Sequence, residues 1–504
     1  MRSSPSPRPF PQERVKLLDA HPIRGCGDLK TQGLSQGLGY ALDLPLAQRS
    51  SAHETQATSE PLLILMKTEP GKRQSLLRLA LVFCWTVLGA SLQAAESKPN
   101  IIFILADDYG LPGVGCYGGQ YKTPHLDALA ASGIRFEACF AAPLCAVSRS
   151  MFVTGRYPFR TGVLDNSTGT VITPQKEVSI AKVLKQAGYA TAVAGKWRQL
   201  SHFSSREDGR AWGFDEFMIW GVSFDQDKGE RYWEPRYNQN GEFLTDVKDK
   251  YGPDLLHNFA VDFIRRHRDG PFFLYYPMPL IHRPTLRTPD SAPDTKDEPT
   301  LYRDNITYMD KLVGKLMAEL DSLKLRQKTL IVFVGDNGDV EHGTIRGRMV
   351  DGVKGSLSEG GSRVPLMVSW PGTTPSGKVS NDLVDFTDFF PTLAEIAGGR
   401  LPTGVTLDGH SFAAQIRGQL GKPRDWVYIQ LYGERYVRGP RWKLNNAGEF
   451  FDMQDAPFRE IPVLANGEDS QARAARHRLQ GVLDNLLAQD EHKNDPSAAK
   501  KPRR

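Results

Sequence analysis

The sequence has 504 residues, of which 40% are hydrophobic and 24% are charged, and its formal net charge is +5. A chain of this length buries a large core and is too long for one small domain. Most of the positive excess lies in the first 95 residues, so the remainder offers no electrostatic basis for binding nucleic acid.

The N-terminal region divides into two segments at Met66. Residues 1–65 are rich in Ser, Pro, Gln and Gly, which predicts a disordered or wrongly included extension. Residues 66–95 combine basic residues, an apolar run from Leu76 to Leu88 and small residues, as in a secretory signal peptide. That run is shorter than the roughly 20 residues of a stable membrane span, although a membrane anchor is the alternative. We expect Met66 to be the true start and the protein to be periplasmic or secreted.

From Asn100 onward, short apolar runs alternate with amphipathic segments. Thr123 and Pro124 open one predicted helix, and Gly133 closes it. The candidate buried strands are Ile101–Leu105, Ala190–Ala194, Phe272–Tyr276, Leu330–Val334 and Leu366–Ser369. Strands that alternate with helices predict an α/β fold, with a large, mostly parallel central sheet flanked by helices across a catalytic domain at 96–420.

Past about residue 420 the pattern changes. Short strand-like pieces separated by turns precede one helical segment at Asp469–Gln489. They predict a small C-terminal antiparallel sheet with one helix, a subdomain at 421–490. The basic, proline-containing stretch 491–504 is expected to be a disordered tail.

Polar residues come soon after four of the predicted strands. Because the carboxyl ends of parallel strands meet at one edge of a sheet, we expect these side chains to share a crevice. In chain order they are Asp107 and Asp108, Lys196, His282, and Asp336 with Asn337.

The three carboxylates and the amide form an oxygen-donor set suited to Ca²⁺ or Mg²⁺. A single Asp-Asp pair is more often a solvated turn, but a second acidic and amide pair after another buried strand favours a metal site. Lys196 and Lys354 would then clamp the oxygens of an anionic substrate. Either lysine taken alone is more simply a solvent-exposed residue.

Cys145 precedes a predicted helix at Ser150–Thr154, and Arg149 lies one helical turn after Cys145. A nucleophile at a helix N-terminus is favoured as a developing anion, because the helix end is positive. The same residues also fit an ordinary reactive thiol or a buried structural cysteine.

Taken in order, these motifs resemble the formylglycine-dependent sulfatases of the alkaline-phosphatase superfamily. The resemblance runs from about residue 98 to 455 and implies an alkaline-phosphatase-like fold. It also implies that Cys145 is oxidised by a formylglycine-generating machinery to formylglycine (3-oxoalanine), whose hydrate attacks sulfate esters. The segments that carry it are Lys98–Gly110, Cys145–Gly155, Gly195–Trp197, Gly335–Gly338 and Lys354–Pro371.

The resemblance also implies a role for each candidate residue. Arg149 would stabilise the formylglycine, and His282 or Lys354 would protonate the leaving alcohol. The residues implied to contact sulfate are Lys196, His282 and Lys354. The implied ligands of one Ca²⁺ per chain are Asp107, Asp108, the modified Cys145, Asp336 and Asn337.

Two positions depart from the family pattern. Val147 replaces the proline of the maturation motif, and Arg198 replaces the histidine that follows Lys-Trp. Arg198 cannot act as a base at neutral pH. Besides a hydrolase of alcohol, aryl or carbohydrate sulfates, two alternatives therefore stay open: a phospho- or phosphonate-ester hydrolase of the same superfamily, and a non-catalytic binder of sulfated glycans.

Two further patterns concern modification. If Cys145 is converted, Cys116 and Cys139 either form a disulfide in an oxidising compartment or remain buried thiols. The triplets beginning at Asn166 and Asn305 match the N-glycosylation pattern, which is weak evidence for a glycan by itself.

Overall fold

The computed structural model describes residues 98–197, 200, 203, 205–221 and 230–490. The predicted extension at 1–65, the signal peptide at 66–95, the tail at 491–504 and Arg198 lie outside the described residues. None of the helices in the described part of the chain combines the length and apolar character that crossing a bilayer requires.

A mixed sheet of ten strands is the main element of the described region. In chain order its strands are β1 (Asn100–Ala106), β2 (Ile134–Phe140), β3 (Ala190–Lys196), β4 (Glu216–Trp220), β5 (Tyr237–Gln239), β6 (Glu242–Phe243), β7 (Phe272–Pro277), β8 (Thr329–Gly335), β11 (Arg363–Ser369) and β12 (Lys378–Asp385). The short strands β9 (Thr344–Ile345) and β10 (Arg348–Met349) pair with each other. Across the ten-stranded sheet the order is β12-β2-β11-β8-β1-β7-β3-β4-β5-β6. The strands from β8 through β1, β7 and β3 to β4 are all parallel, whereas β11 is antiparallel to both of its neighbours.

Helices cover both faces of this sheet, so its central strands are apolar along their whole length. Side chains of β1 alternate between two cores. In chain order the α-helices of the described region are α1 (Pro124–Ala131), α2 (Cys145–Thr154), α3 (Pro158–Thr161), α4 (Ile180–Gln186), α5 (Arg206–Trp212), α6 (Gly252–Arg266), α7 (Glu298–Ser322), α8 (Glu359–Ser362), α9 (Phe389–Ile396), α10 (Ala413–Ile416) and α11 (Ser470–Ala488). Phe103 belongs to one core cluster with residues of α2, α4 and α9, and Ile104 belongs to the other with residues of α1, α6 and α7.

A second sheet of five antiparallel strands follows, and α11 packs against it. Asp469 begins that helix by accepting a hydrogen bond from the backbone N–H of Ala472. The predicted fold class is therefore confirmed: a large, mostly parallel sheet flanked by helices, with a small antiparallel sheet and one helix near the C-terminus. The strands are β13 (Val427–Leu431), β14 (Glu434–Arg438), β15 (Trp442–Asn445), β16 (Phe450–Asp452) and β17 (Ile461–Pro462).

The structure also answers two of the modification questions. Cys116 and Cys139 are both free thiols, so they do not form a disulfide. Asn305 lies inside α7 with no exposed surface, and its amide donates hydrogen bonds of 2.7 Å to the carbonyls of Leu286 and Leu301. A buried, internally bonded asparagine is not an acceptor for a glycan.

Candidate functional site

The site is built on β1 and its two parallel neighbours. The register pairs Ala106 with Gly335, so Asp107 and Asp336 leave adjacent strands side by side. The backbone N–H of Asp336 donates to the carbonyl of Ala106 at 3.0 Å, and that of Asp108 donates to Asp336 Oδ1 at 3.0 Å. Neither Asp107 nor Asp336 has exposed surface, so both carboxylates need charged or metal partners.

His282 reaches the same edge from the segment that follows β7. The backbone of Asp107 exchanges hydrogen bonds of 2.9 Å with Leu280 and Ile281. This pairing brings His282 Nε2 to 3.7 Å from Asp108 Oδ2. His282 Nδ1 lies 2.6 Å from the carbonyl of Arg283. Because a carbonyl only accepts, Nδ1 carries the proton and Nε2 is free to accept one.

Lys196 lies at the end of β3, on the other side of β7. Its Nζ donates to both carboxylate oxygens of Asp107 at 2.7 Å. Gly195 has a φ of +140°, and a Cβ there would lie 1.9 Å from the carbonyl oxygen of Pro277. Only glycine permits this approach of β3 to β7.

Cys145 is the first residue of α2, so the helix begins five residues earlier than the sequence predicted. Arg149, one turn later, is fully buried. Its Nε and Nη2 donate to Asp336 Oδ2 at 3.0 and 2.7 Å, and Nη2 lies 3.4 Å from Asp107 Oδ1. Cys145 Sγ and one oxygen from each of Asp107 and Asp336 all lie within 4.8 Å of one another. Cys145 therefore lies beside two of the predicted metal ligands.

The last two predicted residues approach Asp108. Lys354 Nζ donates to Asp108 Oδ1 at 2.5 Å, and Asn337 Nδ2 donates to the same oxygen at 2.9 Å. Asp108 itself has a φ of +59°, an uncommon conformation for a residue other than glycine, and such backbone strain clusters at functional sites. The structure thus brings all the predicted site residues to one edge of the sheet.

Three carboxylates face the cationic side chains of Arg149, Lys196 and Lys354 in this site. Burial raises the pKa of Asp107, but Lys196, His282 and Arg149 outweigh it and hold that pKa well below its usual range. Burial raises the pKa of Asp336 to about 7 although Arg149 opposes it. Burial lowers the pKa of His282 to about 4, against the opposing charge of Asp107. Burial also raises the pKa of the Cys145 thiol.

Two buried oxygens of the site have no hydrogen-bond partner, Asp108 Oδ2 and Asn337 Oδ1. An unsatisfied buried polar atom costs about 1–3 kcal/mol. A hard cation takes carboxylate and amide oxygens as ligands, so a bound Ca²⁺ or Mg²⁺ would satisfy both. The donor set therefore fits the metal that the sequence motifs implied.

Two supporting residues were not identified as site residues from the sequence. Asn166, noted only for its glycosylation pattern, accepts hydrogen bonds at the start of α2. Asp339 accepts from the backbone N–H of Gly110 at 2.8 Å and from Tyr302 Oη at 3.2 Å. Its carbonyl also accepts from the backbone N–H of Lys354 at 2.8 Å. Asp339 thus connects the turn after β1 to the loop that carries Lys354. In the sequence, only its position three residues after Asp336 indicated that it lies near the site.

Val147 occupies the position where the maturation motif has a proline. Val147 is fully buried in α2 and packs in the core beneath the sheet. Val147 is the third residue of α2, so its backbone N–H has no acceptor within the helix. Arg198 is not among the described residues.

Comparisons with known proteins match the same part of the chain. A family model described as Sulfatase matches residues 99–399, a range that contains every predicted site residue. Arylsulfatase A of Homo sapiens is 33% identical over 389 residues, which cover 70% of this chain and 74% of that protein. Arylsulfatase D of Homo sapiens is 29% identical over 477 residues, which cover 77% and 80%. The crystal structure of Ps i-CgsB aligns with a TM-score of 0.69 and 26% identity over 79% of this chain and 94% of that one.

Proposed function

The chain belongs to the sulfatase family, and we propose that it hydrolyses sulfate esters at this site through a formylglycine derived from Cys145, with one bound Ca²⁺. Membership confirms the resemblance drawn from the motifs and makes the chain a sulfatase, an enzyme of sulfate ester hydrolysis. The observation that carries the finer proposal is the meeting of Cys145 Sγ with oxygens of Asp107 and Asp336 within 4.8 Å.

The metal ion and the formylglycine are assigned to the residues that meet at the edge of the sheet. The proposed ligands of Ca²⁺ are Asp107, Asp108, Asp336, Asn337 and the group at residue 145. When bound, the cation polarises sulfate oxygens and favours ionisation of the nucleophile. Formylglycine supplies, as its hydrate, a hydroxyl nucleophile where the thiol of Cys145 lies.

Charge balance supports an anionic substrate. Arg149, Lys196 and Lys354 already offset the three carboxylates, so a dication leaves the site with net positive charge. Arg149 and Lys196 are buried, with side-chain exposures of 0% and 1%, and hold Asp336 and Asp107. Lys354 and His282 are exposed by 15% and 25%. We therefore assign to Lys354 and His282 the contacts with sulfate on the solvent-exposed side of the site. Lys196 is assigned a contact with sulfate from the buried side.

The proton for the departing alcohol is proposed to come from Lys354. In the unconverted protein its pKa lies above the usual range: burial lowers it, but Cys145 and Asp108 outweigh burial. Asp108 stays in place after conversion, so the ammonium group is protonated at neutral pH. His282, with a pKa of about 4, is neutral there, with its proton on Nδ1 held by the carbonyl of Arg283. A sulfate oxygen accepts hydrogen bonds but cannot donate one, so the neutral Nε2 of His282 cannot bind it. The proposed contact of His282 with the ester is therefore made by the imidazolium, which the bound anion favours.

Export and maturation complete the proposal. The signal-peptide pattern at 66–95 supports a periplasmic or secreted enzyme. Conversion of Cys145 requires the formylglycine-generating machinery as a partner. The proposed substrates are alcohol, aryl or carbohydrate sulfates.

Turnover of an aryl sulfate and of a panel of sulfated sugars tests the proposal, in protein produced together with a formylglycine-generating enzyme. Cys145→Ala should abolish hydrolysis, whereas Cys116→Ala, at a thiol outside the site, should retain it. Removal of Ca²⁺ with a chelator should stop turnover and re-addition should restore it. Turnover that survives Cys145→Ala would refute the nucleophile, and hydrolysis of only the matched phosphate esters would favour a phosphoryl hydrolase.

A further inference from the structure

Asn166 contacts the proposed nucleophile directly. Its Oδ1 accepts hydrogen bonds from the backbone N–H of Ala146 at 3.1 Å and from Cys145 Sγ at 3.4 Å. A backbone N–H can only donate, so the amide oxygen, and not the amide nitrogen, faces α2. One oxygen atom therefore binds both the helix start and the reactive side chain.

The turn that carries Asn166 is held by its own side chains. Asp165 Oδ1 accepts from the backbone N–H groups of Ser167 and Thr168 at 2.7 and 2.9 Å. Thr168 Oγ1 accepts from the backbone N–H of Leu164 at 2.8 Å. These bonds fix the backbone on both sides of Asn166, so its amide is presented to α2 in a preset orientation.

Asn166 caps the start of α2, whose own N-cap residue has no side-chain acceptor. That position is Leu144, an apolar residue with no side-chain capping bond. Helices normally take this bond from a Ser, Thr, Asp or Asn at the N-cap itself. Here the acceptor comes from a residue about twenty positions later in the chain, which couples the helix cap to the position of Cys145.

We propose that Asn166 is a positioning residue for the nucleophile. This inference rests on the proposed conversion of Cys145. A hydroxyl of the hydrated formylglycine would take the place of the thiol and donate to Asn166 Oδ1. A neutral amide does not take up a proton at neutral pH, so Asn166 orients the nucleophile without acting as a base.

Three variants separate this role from general stability. Asn166→Leu keeps the approximate side-chain volume and removes the acceptor, whereas Asn166→Asp keeps an acceptor. Asp469→Ala is the matched control, because it removes the N-cap of α11, the helix that packs on the five-stranded sheet. With rates expressed per converted residue 145, as measured by mass spectrometry, Asn166→Leu should lower kcat on the order of 10- to 100-fold with little change in KM. Asn166→Asp should recover most of that loss, and Asp469→Ala should leave kcat unchanged.

A second readout does not require turnover. In protein produced without the generating enzyme, the infrared S–H stretching band of Cys145, identified by its loss in Cys145→Ala, reports the hydrogen bond to Asn166. Asn166→Leu should move this band to higher frequency, and Asn166→Asp should keep it low. An unmoved band, or a kcat within twofold of wild type in Asn166→Leu, would overturn the inference while leaving the proposed function intact. Absence of turnover in the converted wild-type protein would instead overturn the proposed function and this inference with it.

Discussion

Replacement of Arg149 by leucine should destabilise the metal-free protein strongly. Arg149 donates twice to Asp336 Oδ2, at 3.0 and 2.7 Å, once to the carbonyl of Lys196 at 3.3 Å, and lies 3.4 Å from Asp107. None of the charged groups in this ion pair reaches solvent. The variant would therefore leave Asp336 buried beside Asp107 without its partner.

The expected loss is about 3–5 kcal/mol in the free energy of unfolding, the usual cost of removing one partner from a buried ion pair. Asp336→Asn in the same chain should recover part of it, because the double variant no longer buries an unpaired charge. Arg266→Leu is the matched control: Arg266 also binds a carboxylate, Glu216 at 2.6 Å, but its side chain is 44% exposed. That variant should cost less than about 1 kcal/mol.

Urea denaturation in a calcium chelator measures all of these variants, followed by titration with Ca²⁺. Since a dication also compensates the carboxylates, Ca²⁺ should reduce the deficit of Arg149→Leu. A loss below about 1 kcal/mol for Arg149→Leu, or an equal loss for Arg266→Leu, would refute the reasoning.

Three further predictions concern single residues. His257 is buried, and burial lowers its pKa to about 4. Its contribution to stability is present above the unfolded pKa near 6.5 and is lost as pH falls toward 4. Denaturant titrations at pH 7 and pH 4.5 should therefore show that the loss of stability between them is about 2–3 kcal/mol smaller in His257→Gln than in wild type. Asn305→Leu should cost about 1–3 kcal/mol in the same assay, because the carbonyl of Leu286 loses the amide donor. The mass of the wild-type peptide should show no glycan on Asn305. Lys354→Ala should lower kcat for an aryl sulfate on the order of 10²-fold or more, whereas the same change at Lys311, an exposed lysine paired with Asp290, should have no effect; equal effects would remove Lys354 from the mechanism.

The strand-end placement of the site was predictable because β1 and β8 are continuous apolar runs with acids directly after them. Such runs form strands buried on both faces, and in a parallel pair the residues that follow them lie side by side. Asp107 and Asp336 do so here because the register aligns Ala106 with Gly335. The two apolar runs therefore located Asp107 and Asp336 without any knowledge of the strand order.

Other features depend on contacts between distant segments, which local patterns do not encode. The sequence identified Leu366–Ser369 as a strand but not its direction, and β11 is antiparallel to both neighbours. The β2 strand was missed because Arg135 and Glu137 interrupt its apolar pattern and are only partly buried. Asn166 binds the start of α2 across twenty residues, so its role is visible only in three dimensions.

The nucleophile can be identified from the mass of the peptide that contains residue 145, in enzyme whose sulfate ester turnover has been measured. Residue 145 should be formylglycine or its hydrate, in a proportion that tracks specific activity between preparations. An active preparation in which residue 145 is entirely an unmodified cysteine would show that hydrolysis does not use a formylglycine.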